Sequence, residues 1–281
     1  PAGPPAGAPA AYDEPVAPGA DFVVGPLGRD EVDAVYGRKQ LQVPVLALNR
    51  GKDAPPAGSA GFSLAPEDDG IVAAEYLRGR ERGKALVINS ADDTGRRAAA
   101  AFAQRFAQRG GQVVATIGVS DAVGDVGAQV RNAGQVDAVF LAVRAPQARL
   151  LAPQLALAGA GGATRVGTSQ LTIGSGKVEE DVALDGIVYP NEAWNVRSVS
   201  GLPSASQVAS TLPSARGAAG RLFAFGADAW KITAYLDKLS NEGGLDGATG
   251  TLFLDSNGNI LRQPAWSTFN GGRPMPIAGG R

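Results

Sequence analysis

The sequence predicts an α/β fold in which a mainly parallel sheet is flanked by helices. Aliphatic runs recur along the chain, and helical segments with clear start and stop signals stand between them. Hydrophobic residues make up 44% of the 281 residues, which is enough to build a buried core. Strands and helices that alternate in this way are typical of α/β proteins with right-handed crossovers.

The predicted strands are short and almost continuously aliphatic. Runs of this kind suit parallel strands that are covered on both faces of the sheet. They lie at 21–25, 43–48, 84–89, 112–117 and 136–143. Two further runs, 249–254 and 260–262, flank an Asn-Gly pair, and this pair predicts a hairpin because both residues tolerate a positive φ.

The predicted helices carry the expected punctuation at their ends. The first opens at Pro66 with an acidic first turn and stops at Gly83, in agreement with the preference of helix starts for acids and of helix ends for glycine. Others are predicted from about 92 to 110, 146 to 158 and 224 to 239, with a weaker one at 205–212.

Residues 1–20 predict a disordered linker. Six of the 19 prolines fall there, mixed with alanine and glycine. Proline favours an extended conformation, and the segment has few large apolar side chains to offset the entropy of ordering.

The composition excludes several classes of chemistry. The chain has no Cys and no His, so it has no disulfide, no thiol nucleophile, no Cys/His zinc site and no Ser-His-Asp triad. We expect no cofactor and no metal. The net charge is 26 − 27 = −1 without a basic cluster, which argues against a nucleic-acid partner. The sequence shows no apolar run that approaches a membrane span and no signal peptide.

Carboxylate clusters leave an enzymatic alternative open. Paired carboxylates perform acid–base chemistry when burial separates their pKa values. We expect a structural role instead, because each cluster lies at a predicted helix start or in a polar loop. The enzymatic hypothesis would depend on Asp92 or Glu192. The clusters comprise Asp68, Asp69, Asp92, Asp93, Glu179, Glu180 and Asp181.

Turn-forming and small polar residues follow the predicted strands. In an open parallel sheet, ligands bind outside the carboxyl ends of the strands. These residues therefore predict a cleft for a small polar ligand, although strand ends commonly carry such residues without binding anything. They are Gly25–Gly28, Asn49–Arg50, Asn89–Ser90, Val143–Arg144 and Thr168–Gln170.

A series of longer segments resembles the LppC/LpoA family of envelope lipoproteins, the activators of penicillin-binding proteins. More distantly, the chain is similar to type I periplasmic binding proteins of the branched-chain amino-acid kind. The FGADAW and GATGTLFLDSNGNILR stretches are specific in combination with the GPL that ends the first strand. The resemblance runs from about Asp21 to the C-terminus, over the segments 21–27, 43–49, 62–77, 84–106, 136–155, 184–194, 223–232 and 247–266.

The resemblance implies two lobes with a cleft between them. Lobe one would comprise 21–83 and 191–262, and lobe two 84–190 and 263–281. Members of the family are held by a lipid on the periplasmic side of the outer membrane. They are not enzymes, and they stimulate a class A penicillin-binding protein, a bifunctional peptidoglycan synthase, by direct contact. The alternative is a periplasmic module that binds an amino acid or a cell-wall fragment.

The chain departs from the family pattern in several ways. The lipid-bearing Cys and the family's helical N-terminal domain are absent, and the family's first strand–helix unit has no clear counterpart in residues 1–20. Thr94-Gly95 stands where transport-type relatives have Tyr-Gly, and this departure argues against amino-acid binding. We expect no catalytic residue and no metal ligand. The candidate cleft residues are Pro26, Leu27, Asn49, Ser63, Ser90, Thr94, Arg144, Thr168, Ser169, Gln170 and Glu192.

Overall fold

A computed structural model describes residues 5–38, 40–172, 175–215, 217–241 and 244–277. The chain divides into two compact units. Unit 1 comprises Pro1–Ala65, Val199–Pro203 and Arg221–Gln263, and unit 2 comprises Pro66–Ser198, Ser204–Gly220 and Pro264–Arg281. Each unit contains one mixed sheet flanked by helices, which confirms the predicted fold class.

Unit 1 is built on a six-stranded sheet in the order β1-β2-β3-β11-β10-β9. The pairs β1–β2, β2–β3 and β3–β11 are parallel, whereas β10 pairs antiparallel with both of its neighbours. The predicted hairpin is confirmed as β10 and β11. The strands are β1 (Val23–Val24), β2 (Val45–Ala47), β3 (Ala60–Phe62), β9 (Leu245–Asp246), β10 (Thr251–Leu254) and β11 (Asn259–Gln263).

Helices cover both faces of this sheet because side chains alternate along its strands. Val45 and Ala47 pack against α1 (Ala8–Val16) and α2 (Arg29–Tyr36). Leu46, on the opposite face, packs with Phe62 and with the inner side of α10 (Ala218–Asn241), which belongs to unit 1 from Arg221 onward.

The linker prediction for residues 1–20 is wrong over Ala8–Val16, which form α1. Pro9 is tolerated in the first turn because the N–H that it lacks has no intrahelical partner there. Tyr12 then anchors the helix, since its buried hydroxyl donates to the Val43 carbonyl at 3.1 Å and accepts from the Val43 N–H at 2.9 Å. Residues 1–4 lie outside the described residues.

Unit 2 is built on a seven-stranded sheet in the order β13-β12-β8-β7-β6-β4-β5. The five strands from β8 to β5 are parallel, and β12 pairs antiparallel with both β8 and β13. The strands are β4 (Lys84–Ser90), β5 (Gln112–Val119), β6 (Ala138–Ala142), β7 (Thr164–Gly167), β8 (Val188–Asn191), β12 (Ala265–Asn270) and β13 (Arg273–Pro276).

Two core clusters fill the two faces of the unit 2 sheet. On one face, Val87 and Phe140 pack against α3 and α4, and on the other face Leu86 and Leu141 pack against α5 and α6. A π-helical turn at Ala156–Ala160 follows α6. The helices are α3 (Pro66–Arg78), α4 (Asp93–Gln108), α5 (Gly127–Asn132), α6 (Ala145–Leu155), α7 (Val178–Asp181), α8 (Ala193–Val196) and α9 (Ala205–Thr211).

The unit boundaries differ from the predicted lobe boundaries at the first crossing. The resemblance placed 66–83 in lobe one, whereas α3 belongs to unit 2. The reason is packing: Ala73 and Leu77 of α3 are buried in the cluster that contains Phe102 of α4. Residues 191–198 and 204–220 also belong to unit 2, although the prediction placed them in lobe one, and Gln263 belongs to unit 1 although it was placed in lobe two.

Candidate functional site

The seven candidates in unit 2 lie at or near the ends of strands, and most are at one edge of the sheet. Strands β4, β6, β7 and β8 are parallel neighbours, so their carboxyl ends share that edge. Ser90 ends β4, whereas Arg144, Thr168 and Glu192 follow β6, β7 and β8 closely.

Asp92 connects two of these candidates. Its Oδ1 accepts from the Ser90 hydroxyl at 2.9 Å and from the Gly95 N–H at 2.8 Å. Its Oδ2 accepts from the Arg144 guanidinium at 3.1 Å. The arrangement joins the ends of β4 and β6 through the N-cap of α4.

The same contacts stabilise the ionised form of Asp92. The Gly95 N–H, followed by the Ser90 hydroxyl and the charge of Arg144, lowers the pKa of the Asp92 carboxyl against the opposing effect of burial. A carboxylate with a lowered pKa remains ionised at neutral pH, and it therefore suits a capping role better than that of a general acid.

Gly95 is required by close packing at this point. A Cβ on Gly95 would lie 2.7 Å from the Ser90 carbonyl oxygen and 2.8 Å from that of Ala142. The start of α4 therefore lies directly against the ends of β4 and β6. Thr94, just before Gly95, is half-buried.

A second buried contact holds the end of β7. The Asp69 carboxylate of α3 accepts from both the N–H and the hydroxyl of Ser169, at 2.9 and 2.6 Å. The neighbouring Thr168 hydroxyl is buried, and it has no hydrogen-bond partner among the described residues. Gln170 is half-buried in the short 3-10 turn that follows β7.

Several buried polar side chains lie around the end of β8. Glu192 is the N-cap of α8 and is buried, as is Tyr189 of β8. Burial raises the pKa of the Tyr189 hydroxyl to about 12, and the charges of Glu192 and Asp181 contribute to the same shift. The amide of Asn191 donates to the Ser267 hydroxyl at 3.1 Å, and this contact ties β8 to β12.

The four candidates in unit 1 lie at the carboxyl edge of its parallel strands. Pro26 and Leu27 follow β1, and the Asn49 amide donates to the Leu27 carbonyl at 2.9 Å. The Pro26 carbonyl accepts from the Leu48 N–H at 2.8 Å. Ser63, directly after β3, is 2% exposed, and its hydroxyl has no partner among the described residues.

Five of the seven clustered acids, Asp69, Asp92, Asp93, Glu180 and Asp181, form hydrogen bonds or ion pairs that stabilise the fold. Asp93 pairs with Arg97 at 3.3 Å, Glu180 with Lys177 at 2.9 Å and Asp181 with Arg149 at 2.8 Å. Among the residues that the structure describes, no three Asp or Glu side chains converge in a group that could hold a metal ion. The predicted Asn-Gly turn between β10 and β11 is confirmed, and the Asp255 carboxylate closes it by accepting from the Asn257 and Asn259 N–H groups, both at 2.8 Å.

Sequence reasoning missed the connecting residues. Asp69 and Asp92 stand out in the sequence only as helix-start acids, and their partners are distant along the chain. Gln147 was not singled out, although it accepts from the Arg144 N–H at 3.1 Å and donates to the Ser120 carbonyl at 3.1 Å. A Gln three residues after a helix start is the available signal, since it completes a capping box.

Within the described ranges, no helix is long and apolar enough to cross a bilayer.

The model of a family described as "LppC putative lipoprotein" matches residues 11–126 and 119–272.

A similar curated protein is the penicillin-binding protein activator LpoA of Escherichia coli K12. It is 24% identical, and the alignment covers 92% of this chain and 44% of the relative. The chain therefore spans less than half the length of this curated relative.

Two solved structures illustrate the fold. The C-domain of LpoA from Haemophilus influenzae, described as a regulator of PBP1A, superposes with a TM-score of 0.80 at 21% identity, over 96% of this chain and 86% of that one. A protein from Chromobacterium violaceum, described as a "putative branched-chain amino acid ABC transporter", superposes with a TM-score of 0.67 at 26% identity, over 92% of this chain and 84% of that one.

Proposed function

Because the chain belongs to the LppC lipoprotein family, we propose that it activates a peptidoglycan synthase, a class A penicillin-binding protein, by direct contact. The observation that carries the proposal is the alignment with penicillin-binding protein activators over 92% of the chain. The LpoA C-domain, which has the same fold, is itself described as a regulator of a penicillin-binding protein.

The proposed activity needs no catalytic group in this chain. The carboxylates at the strand ends cap helices, bind loop N–H groups and pair with arginines, as Asp92 and Asp69 illustrate. Side chains held in this way stabilise the fold. We therefore assign regulation to the chain and catalysis to its partner.

The proposed location is the periplasmic face of the outer membrane. The family is described as a lipoprotein family, and its curated members include activators of penicillin-binding proteins. A lipid anchor would place the domain where it can reach a synthase from the outer-membrane side.

A binding measurement tests this proposal. The purified 281-residue chain is titrated into the class A penicillin-binding protein of the same bacterium, and binding is followed by calorimetry. We expect a saturable complex. If the titration shows no heat of binding and a pull-down recovers no complex, the proposal is contradicted.

A second candidate function is the binding of a small polar solute. The buried Thr168 hydroxyl, which lacks a partner among the described residues, and the similarity to the Chromobacterium violaceum protein favour it. A ligand at 100 times its Kd stabilises the native state by about 2.7 kcal/mol, enough to raise Tm by roughly a few degrees. Thermal denaturation in the presence of amino acids or peptidoglycan fragments would show this shift, and unchanged melting would eliminate the candidate.

A further inference from the structure

The outer side of α10 carries no charged residue at its exposed positions between Leu222 and Ala234. Its inner side packs Phe225, Ala229 and Ile232 into the core of unit 1. The opposite side of an amphipathic helix normally carries charged and polar residues. In α10 the exposed positions recur at intervals of four, and Lys238 ends this series. The four positions before it are uncharged: Leu222, Gly226, Trp230 and Ala234. We call these four residues the α10 stripe.

The two large side chains of the α10 stripe are prominent. Trp230 is 78% exposed and Leu222 is 63% exposed. The other two tryptophans, Trp194 and Trp266, are buried. Trp230 is therefore a large apolar side chain in solvent within a protein that buries its other residues of this type.

The nearby charges do not cover the stripe. The Lys231 ammonium donates to the Asp246 carbonyl at 2.6 Å, which directs it toward β9. Lys238 lies one turn beyond the stripe, 5.2 Å from the centre of the Tyr235 ring. The exposed positions of α10 from Leu222 to Ala234 are thus uncharged over about three turns of helix, although the half-buried Lys231 lies beside them.

Gly226 is a second, independent indication that the outer side of α10 contacts another molecule. A glycine within a helix costs about 1 kcal/mol relative to alanine. A Cβ at this position would meet nothing within 4 Å, so packing inside the chain does not require the glycine. It leaves a notch between Leu222 and Trp230 in which another molecule can approach the backbone closely.

The size of the stripe indicates the kind of partner. With Leu222 63% exposed and Trp230 78% exposed, it presents on the order of a few hundred Å² of apolar surface, the size of the largest patches on monomers, which are often functional. An obligate homodimer buries more than about 2,000 Å² in total, so two copies meeting on this stripe alone would fall short, whereas a transient regulatory contact buries less than about 1,200 Å². A larger partner can receive the ridge in a groove and also contact its polar flanks.

We infer that the α10 stripe is the contact surface for the synthase, with Trp230 inserted into an uncharged apolar groove of that partner. This inference rests on the proposed function. Tryptophan is among the residues that most often dominate the binding energy of an interface, and the notch at Gly226 accepts a side chain from the other surface.

The test compares substitutions on two exposed apolar positions. Trp230→Lys removes the proposed anchor and places a charge in the groove. Leu157→Lys makes the same kind of change in unit 2, at a side chain that is 88% exposed. Calorimetric titration with the class A penicillin-binding protein should show at least about tenfold weaker binding for Trp230→Lys, as for an anchor residue. Leu157→Lys should stay within about twofold of the wild type.

A third variant separates binding from folding. Gly226→Gln fills the notch with a good helix former, so we expect an unchanged or higher Tm together with weaker binding. A purely structural role of this helix would instead leave binding unaffected when folding is preserved.

Direct observation of Trp230 completes the test. The chain is labelled with 5-fluorotryptophan, and its three ¹⁹F signals are assigned with Trp230→Phe. Unlabelled synthase should shift or broaden the Trp230 signal more than the signals of the buried Trp194 and Trp266.

The outcomes separate the surface from the function. If the wild type binds the synthase and both Trp230→Lys and Gly226→Gln bind equally well, the α10 stripe is not the contact surface. The proposed function would then be preserved. Absence of wild-type binding would overturn both. Self-association that Trp230→Lys abolishes, seen by sedimentation without synthase, would overturn the inference in favour of a second copy as the occupant.

Discussion

Unit 2 and unit 1 achieve the same layered arrangement by different means. The unit 2 sheet has strands of four to eight residues and a large core cluster on each face. The parallel strands of unit 1 have only two to five residues, and its clusters are smaller. Short strands supply few ladder hydrogen bonds and little apolar surface. Unit 1 therefore depends more on individual side chains that bind the backbone.

Asp228 illustrates this dependence. It lies on the inner side of α10, is buried, and accepts from the Ala248 N–H at 2.6 Å, the Thr249 N–H at 2.7 Å and the Thr249 hydroxyl at 2.6 Å. Burial raises the pKa of the Asp228 carboxyl, and these donors oppose the shift. One carboxylate thus joins α10 to the loop between β9 and β10.

The largest effect is expected from a core phenylalanine of unit 2. Phe102 is fully buried between the rings of Phe106 and Phe140, at centroid distances of 5.1 and 4.4 Å. Phe102→Ala should lower the free energy of unfolding by about 3–5 kcal/mol in urea denaturation. Phe225→Ala in unit 1 should cost less, because Phe225 is slightly exposed and stacks on Phe62 alone among the described aromatic pairs. An equal loss for both would contradict the proposed difference between the two cores.

The next effect tests the polar anchor of unit 1. Asp228→Ala leaves up to three buried donors without their acceptor, so we expect a loss of about 3 kcal/mol, or roughly 1 kcal/mol for each donor. Asp228→Asn keeps one oxygen and should lose less. Denaturation followed by circular dichroism measures both. A loss below about 0.5 kcal/mol for Asp228→Ala, the size typical of a surface substitution, would show that the loop does not depend on this contact.

Two glycines in helices should respond in opposite directions. Gly70 of α3 faces α4, and a Cβ there would lie 2.8 Å from the Phe102 nitrogen and closer still to the Ala98 carbonyl oxygen. Gly70→Ala should therefore destabilise unit 2 by about 1–3 kcal/mol, because the two helices must move apart. Gly226→Ala, at an open position of α10, should stabilise unit 1 by up to about 1 kcal/mol. Thermal melting of the two variants distinguishes a packed helix face from a free one.

The smallest effect is pH-dependent. Asp92 has a lowered pKa in the folded state, so its stabilising contribution is present above the ordinary pKa of about 3.9 and is lost as the pH falls through the folded value. Asp92→Ala should cost about 1 kcal/mol at pH 7, the usual value for an N-cap. The difference from the wild type should shrink below pH 3.9. Asp93→Ala, at a more exposed acid, serves as the control.

The sequence was most informative where apolar runs are long. The predicted strands at 84–89 and 112–117 are confirmed as β4 and β5, and the helix opening at Pro66 is confirmed as α3. Continuous aliphatic runs of this length have few alternatives to a covered parallel sheet. The hairpin of β10 and β11 could also be predicted from the sequence, because its Asn-Gly turn is a local signal.

Other features depend on contacts that are distant along the chain. The composition of 1–20 favours an extended segment, yet Tyr12 binds Val43 and stabilises α1. The contact of Asp69 with Ser169 joins residues one hundred positions apart. A strand as short as β3 carries no periodicity of its own. The sequence thus predicts which residues follow the strands. The contacts through which Asp92 and Asp69 connect the strand ends could be found only in the structure.

The activity of the synthase tests the central claim most directly. Glycan polymerisation and peptide cross-linking by the class A penicillin-binding protein are measured on lipid-linked precursor with increasing amounts of the 281-residue chain, and with heat-denatured chain as the control. We predict that the folded chain raises the rate to a plateau and forms no product without the synthase. A rate that is independent of the folded chain at saturating concentration would contradict the account.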